Sequence, residues 1–411
     1  MIRTRLKWQD FWVLGITRKC CFFCVFRHPA KEEKMEFLVE GLQNVTWQQC
    51  VMYVVGLVLI WLAIKKEYEP SLLLPMGFGA ILVNLPMSGV IDQVVGGIET
   101  HGIIQWLFDV GIEASEAMPI LLFIGIGAMI DFGPLLSQPV MFLFGAAAQF
   151  GIFFALCVAT LMGFDLKDAA SIGIIGAADG PTSILVSQIL HSEYVGAIAV
   201  AAYSYMALVP IVQPFAIKLV TTKKERRIKM QYRPGQVSKS MRIAFPIIVT
   251  IIVGFIAPSS VSLVGFLMFG NLLRECGVLG SLSDTAQTSL ANLITLLLGI
   301  TISFSMRAEE FVRFETLLIM AIGLVAFVFD TIGGVMCAKF LNLFRKEKLN
   351  PMIGAAGISA FPMSSRVVQK MAMKEDPTNI VLMHAAGANV SGQIASVVAG
   401  GLIINLVSQF L

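Results

Sequence analysis

The fold class this sequence predicts is an all-α, polytopic membrane protein of about 9–11 transmembrane helices plus broken or re-entrant segments. Three observations predict it. Of the 411 residues, 56% are hydrophobic and only 14% charged, whereas roughly a quarter of a soluble domain is charged. The mean hydropathy is +0.80. Apolar runs of 18 residues or more recur along the chain, each long enough to cross the hydrocarbon core as a helix. The 36 glycines and 21 methionines suit helices that pack closely or break in lipid.

The elements follow in order. Residues 1–34 are basic and cysteine-rich, with eight Lys/Arg. "CCFFCVF" is too short to span and has no small-residue cleavage site, so it does not read as a signal peptide. The first good span covers 46–64, and Lys65-Lys66 after it argue for a cytoplasmic flank. Eight bases on the opposite flank contradict that orientation, and a start at Met35 removes the conflict. Residues 1–34 are therefore expected to be a non-native start or a disordered extension, ahead of a single integral membrane domain at 35–411. Further spans are expected near 138–164, 170–190, 194–220, 243–257, 260–280, 287–305, 314–344 and 378–409. The apolar pieces 71–87, 102–114, 117–135 and 351–364 are too short, or too rich in Gly and Pro, for straight crossings. They read as broken segments shielded from lipid.

The basic connection 221–242, with "TTKKERRIKM", reads as cytoplasmic and divides the domain into halves of approximately 46–220 and 243–411. The halves echo each other. "IGAMIDFGPLL" (126–136) and "IGAAGISAFPMSS" (353–365) both run Ile-Gly-Ala, a polar residue (Asp131 or Ser359), then Pro (Pro134 or Pro362). "GAAD" (176–179) and "AGAN" (386–389) follow in the same order. Two repeat-related halves are expected, with chance in a Gly/Ala-rich chain as the bland reading. Interrupted segments in matching positions point to a site near the bilayer midplane.

Asp179 in "GAADGPTSI" is the sharpest candidate. A carboxylate at membrane depth costs about 2.5–3.5 kcal/mol on insertion scales, so such acids face a partner or a cavity. Gly180 and Pro181 break the helix at the acid, and freed carbonyls with the Thr182 and Ser183 hydroxyls make a hard-oxygen site for Na⁺ or a proton. The plainer reading is a cap for a half-helix with Pro near its start. Asn389 in "GANVSGQIAS", with Ser391 and Ser396, adds neutral oxygens. One carboxylate plus neutral oxygens suits a monovalent cation better than Ca²⁺. Interhelical hydrogen bonding is the alternative.

Arg366 follows a broken segment close to Ser359 and Ser364; its planar fork suits a carboxylate or ureido oxygen, or it is an anchor, as Lys370 and Lys374 are expected to be. Tyr203 and Tyr205 precede Pro210, and one hydroxyl can reach a polar site; interface aromatics are the alternative. Asp131 and Asp330 are further acids in apolar surroundings, and His384 reads as structural. The seven cysteines form no sustained ligand framework; Cys20, Cys21 and Cys24 with His28 read as an accident, since no second ligand pair follows. No Ser-His-Asp order, P-loop, HExxH or dinucleotide fingerprint stands out, and no aromatic-basic pattern points to nucleic acid.

"GIIGAADGPTSI", "AAYSYMALVPIVQP", "NPMIGAAGISAFPMSSRVVQK" and "GANVSGQIASVVAGG" occur in order. Together they resemble the β subunit of the sodium-pumping, biotin-dependent decarboxylases of oxaloacetate, methylmalonyl-CoA and glutaconyl-CoA, over about residues 40–411. The resemblance implies a membrane subunit of a primary sodium pump in the bacterial inner membrane. Such a subunit decarboxylates carboxybiotin on a partner, consumes a periplasmic proton and exports Na⁺. The implied partners are a biotin carrier subunit, a carboxyltransferase α subunit that selects the substrate, and a small γ membrane subunit around a homotrimeric β core. An elevator-like scaffold and core is the implied fold. Residue by residue, the resemblance puts sodium binding on Asp179, Tyr205, Asn350, Ser359 and Asn389, catalysis on Asp179 and Arg366, with Arg366 handling carboxybiotin, and functional sensitivity on Gly354. The rivals are a Na⁺-coupled secondary carboxylate transporter and a purely structural membrane subunit.

Overall fold

The computed structural model describes residues 44–410, apart from 68–69, 96–97, 115–116 and 231–236. The expected extension 1–34 lies outside the described residues. Trp47–Asn84 with Ser88–Leu411 form one compact unit, which holds every helix named here. The other unit is Met1–Thr46 with Leu85–Met87, described only at 44–46 and 85–87.

The described chain is almost wholly helical, the exception being an antiparallel hairpin of β1 (Asp92–Val95) and β2 (Ile98–His101). Apolar stretches without water to bond must satisfy their backbone internally, and helices do that. α1 (Trp47–Lys66) buries Met52, Gly56, Leu59 and Ala63 at helical spacing and exposes Val54, Leu57, Trp61 and Ile64. It packs on α2 (Pro70–Val83), where Gly56 and Gly77 face each other. A Cβ on either would fall 2.7 Å from the other's carbonyl oxygen. This is the small-residue contact that brings helices together where lipid offers no hydrophobic drive.

Interrupted stretches follow. α3 (Ala117–Met129) meets the helical stretch Ile103–Glu113 at 66°. α4 (Met141–Ala147) and α5 (Phe150–Leu161) are separated at Ala148-Gln149. α6 (Leu166–Gly173) runs into a tight turn at Ile174–Ala177 and restarts as α7 (Gly180–Ile189). α8 (Val195–Val220) bends by 72° between Val195–Met206 and Leu208–Val220. The Pro210 ring clashes with the carbonyl four residues back, at Met206, which accounts for the bend. The second half contains α9 (Lys239–Ile256), α10 (Val261–Glu275), α11 (Ala291–Ile302), α12 (Phe314–Phe344), the short α13 (Met352–Ala355), α14 (Met363–Glu375) and α15 (Leu382–Val407).

Among the described residues, six helices are long and apolar enough to cross a membrane, or eight if each of two bent pairs is one span. That is fewer than the 9–11 expected. The apolar runs near 170–190 and 260–280 are there, but breaks and short helices leave neither as a full-length span. Of the long apolar helices among the described residues, α15 is the most interior, 72% of its most apolar stretch being buried, against 22% for α1 and 17% for α9. The site is built on it.

The basic connection is tied down at its first part. Arg226 Nε donates to Glu375 Oε1 at 2.8 Å, and its Nη1 donates to the Thr221 carbonyl at 2.8 Å. Lys229 pairs with Asp376 at 3.0 Å, and Lys339 with Glu225 at 3.0 Å. The Arg226 bond holds the Glu375 carboxyl below the usual glutamate range, and bonds from Thr378 and Lys229 bring Asp376 down to about 2. A depressed carboxylate stabilises the fold above its unfolded pKa, and this is lost as pH falls through the folded value. Glu375→Gln should therefore loosen this anchor by about 1.5 kcal/mol. Tryptic cleavage within 223–229 at pH 7 should then run about tenfold faster than in the wild type. The difference in anchoring should close once pH falls through the depressed range of the Glu375 carboxyl, where the wild-type side chain protonates as well. Equal cleavage rates at pH 7 would show that the ion pair does not hold the loop.

Candidate functional site

The site begins at a break in the backbone. Ala178 takes a left-handed conformation, φ +52°, after the tight turn at Ile174–Ala177. A non-glycine residue pays for that conformation, and it reverses the chain so that Asp179 opens α7. Asp179 caps α7: Oδ1 accepts from Thr182 N at 3.4 Å, and Oδ2 from Thr182 Oγ1 at 2.8 Å. The Ser183 hydroxyl donates to the Asp179 carbonyl at 2.7 Å.

Two hydroxyls from the other half of the chain meet the same carboxylate. Ser359, in the loop between α13 and α14, donates to Oδ2 at 3.0 Å, and Ser396 on α15 donates to it at 2.8 Å. The two serine oxygens lie 2.8 Å apart. Ser359 N also donates to the Ala177 carbonyl at 3.1 Å, so the two broken segments are bound backbone to backbone. Asp179 is 4% exposed, and Ser359, Thr182 and Ser396 are equally enclosed. None of the ion pairs among the described residues involves Asp179. Its charge is met by hydroxyl dipoles and a helix N-terminus, which favours anions. A buried charge without a partner is costly, so the arrangement suits an acid that meets a cation or takes a proton.

α15 presents Asn389, Gln393, Ser396 and Gly400 along one face, at i, i+4, i+7 and i+11. Asn389 Nδ2 donates to the Ile358 carbonyl at 2.7 Å, while its Oδ1 is buried without a partner among the described residues. Gln393 Nε2 donates to the Ser359 carbonyl. At Gly400 a Cβ would fall 2.9 Å from Thr182 Cγ2, so its absence lets α7 close on α15. Gln393 escaped the sequence reading; the helical stripe that includes it was the available signal. Ser391 is corrected. Two residues on from Asn389, it faces away and donates to the carbonyls of Met141 at 2.8 Å and Ala388 at 2.7 Å.

The remaining candidates lie elsewhere. The Tyr205 hydroxyl donates to the Met320 carbonyl on α12, whereas the Tyr203 ring lies across Gly180. Asn350 spends both side-chain atoms on backbone: Nδ2 donates to the Arg226 and Ile228 carbonyls, each at 2.9 Å, and Oδ1 accepts from Met352 N at 3.1 Å. It braces the basic connection. Arg366 is exposed on α14 and makes no ion pair among the described residues. Gly354 on α13 meets Gly334 on α12, each occupying the space a Cβ on the other would need. Asp131 belongs to a half-exposed cluster, 3.9 Å from Arg242 and 4.0 Å from Arg274. Asp330 is buried, its Oδ1 accepting from Gly151 N at the start of α5.

Comparison with known proteins gives a consistent result. Residues 48–407 match the family described as Na⁺-transporting oxaloacetate decarboxylase beta subunit. The chain is 47% identical over 386 residues to the methylmalonyl-CoA decarboxylase subunit beta of Propionigenium modestum, covering 89% of this chain and 96% of that protein. It is 47% identical over 374 residues to the glutaconyl-CoA decarboxylase subunit beta of Acidaminococcus fermentans, covering 89% and 95%. It is 41% identical over 422 residues to the oxaloacetate decarboxylase beta chain 2 of Salmonella typhi, covering 89% and 97%.

Proposed function

This chain belongs to the family of Na⁺-transporting decarboxylase β subunits, and we propose that it decarboxylates carboxybiotin on a partner carrier and couples that step to Na⁺ export across the bacterial inner membrane. The observation that carries the coupling is Asp179: a buried acid with no cation beside it among the described residues, bound by hydroxyls from both halves. Na⁺ binds while Asp179 is ionised, with Ser359 and the free Asn389 oxygen as neutral ligands. A proton arriving from the periplasm removes the charge that holds the ion. Moving one charge against 100 mV requires about 2.3 kcal/mol, which the loss of CO₂ supplies. In that step the N–CO₂⁻ bond breaks, its electron pair stays on the ureido nitrogen, and that nitrogen takes the proton.

Arg366 is the group for carboxybiotin on this reading, since it is an exposed guanidinium with a fork that fits a carboxylate. The partners are a biotin carrier subunit, a carboxyltransferase α subunit and a small γ subunit around a homotrimeric β core. The meeting of both halves at Asp179 supports a pair of repeat-related halves that move as scaffold and core.

Affinity purification and vesicle transport test the function together. The chain should be retained on avidin resin through a biotinylated subunit, and the co-purifying carboxyltransferase identifies the acid decarboxylated. Reconstituted vesicles should accumulate ²²Na⁺ when that acid is supplied, and avidin should stop them. Solute-driven Na⁺ movement with no biotinylated partner would establish a secondary transporter instead.

A further inference from the structure

Two tyrosines two residues apart on α8 face in different directions, and the structure separates their roles. Tyr205 Oη is committed to the Met320 carbonyl. Tyr203 is 2% exposed, and its hydroxyl is buried without a hydrogen-bond partner among the described residues. Such phenols usually find one, because an unmade bond in an enclosed place is unfavourable. The ring is placed by the break itself. A Cβ on Gly180 would collide with Tyr203 Cζ, Cε1 and Cε2, so it is the hydroxyl-bearing end of the ring that rests on the residue after Asp179.

Gly180 therefore does more than interrupt a helix: it leaves room for an aromatic side chain whose polar end reaches the carboxylate's turn. Asn389 Oδ1 is the matching case on α15, also buried and also unpartnered. Each half of the chain thus carries one buried neutral oxygen without a partner among the described residues, Tyr203 Oη beside the Asp179 turn and Asn389 Oδ1 on the α15 face that includes Ser396. Neutral oxygens complete the shell of a monovalent cation without adding charge.

We propose that the Tyr203 hydroxyl is a further oxygen of the Asp179 cation site, and that it binds Na⁺ when the carboxylate is ionised. The proposal rests on Asp179 as the cation-exchanging acid. Tyr203 keeps the ring packed on Gly180 whether or not the ion is present, so the hydroxyl contributes to affinity rather than to folding.

The intact complex, purified with its partner subunits, supplies the test. Tyr203→Phe retains the ring and removes one oxygen. Its half-saturating Na⁺ concentration for decarboxylation should rise about tenfold, while its melting midpoint in Na⁺-free, K⁺-containing buffer stays at the wild-type value. A half-saturating concentration within twofold of wild type overturns the proposal, as does a matched fall in the Na⁺-free midpoint with no change in Na⁺ response. If the variant fails to assemble, 3-fluorotyrosine placed at position 203 keeps the hydroxyl and reports on it. Its ¹⁹F resonance should shift on titration with Na⁺ and not with K⁺, and a resonance indifferent to Na⁺ overturns the proposal. Wild-type complex whose activity ignores Na⁺ would instead defeat the underlying reading of Asp179. Wild-type and Asp179→Asn behaviour as expected, with an unaltered Tyr203→Phe, would defeat only the role of Tyr203.

Discussion

Asp179→Asn is expected to cut Na⁺-dependent decarboxylation and ²²Na⁺ uptake to below about 1% of wild type, a loss of at least about 2.7 kcal/mol in ion binding. The substitution discriminates because asparagine is as good an N-cap as aspartate. If Asp179 only capped α7, the Thr182 N–H at 3.4 Å would still find an acceptor, and little would change. As the ion's counter-charge it has no substitute, since no ion pair among the described residues brings another charge to the site. The hydroxyls of Thr182, Ser359 and Ser396 all turn toward this carboxylate. Stability should move the other way: a buried charge without a partner is costly, and a neutral isostere removes that cost. The melting midpoint of the assembled complex should thus hold or rise while Na⁺ response vanishes. Near-normal transport by Asp179→Asn would sink the coupling scheme; a collapse in midpoint alongside lost activity would assign Asp179 to structure.

Composition and apolar runs lead directly to a helical membrane protein, because lipid imposes one dominant rule on exposed backbone. Counting spans was harder: hydropathy marks an apolar run but does not reveal where Gly and Pro divide it, as between α6 and α7. Asp179, Thr182 and Ser359 were legible as polar residues beside breaks and Ser396 as a neutral oxygen accompanying Asn389, and the structure joins these four. Ser391 was misplaced because adjacency in sequence stood in for a shared helix face; two residues on a helix are about 200° apart. Gln393 was passed over for the opposite reason, lying a full turn from Asn389. Tyr203 and Tyr205 are indistinguishable by sequence pattern, since the choice depends on which of them meets Gly180 across a tertiary contact. Asn350 and Arg366 lie away from the carboxylate's hydrogen bonds, one in the brace of the basic connection and the other exposed on α14.

Gly354→Ala is the second change with a large expected effect, and its cause is backbone. A Cβ there would overlap the carbonyl of Gly334, with Val335 N at 3.1 Å, so α12 and α13 would have to separate. A main-chain carbonyl inside a long helix cannot rotate away as a flexible side chain can, so the cost should reach the upper part of the overpacking range, about 3 kcal/mol. Displacement would not stop at α13. Residues 356–360 lead directly from it to Ser359, whose hydroxyl sits 3.0 Å from Asp179. Geometry of that kind tolerates little movement, so Na⁺ half-saturation should worsen by about tenfold together with a lower melting midpoint. Gly334→Ala should do much the same from the other side, because a Cβ there meets the carbonyl of Gly354. Combining the two tests the contact itself. Once one methyl has pushed the helices apart, the second enters space already opened, so the double variant should lose clearly less than the sum of the singles. Additive losses would mean that the glycines act separately, and a Gly354→Ala complex with wild-type melting and Na⁺ response would show that α12 and α13 need no close approach there.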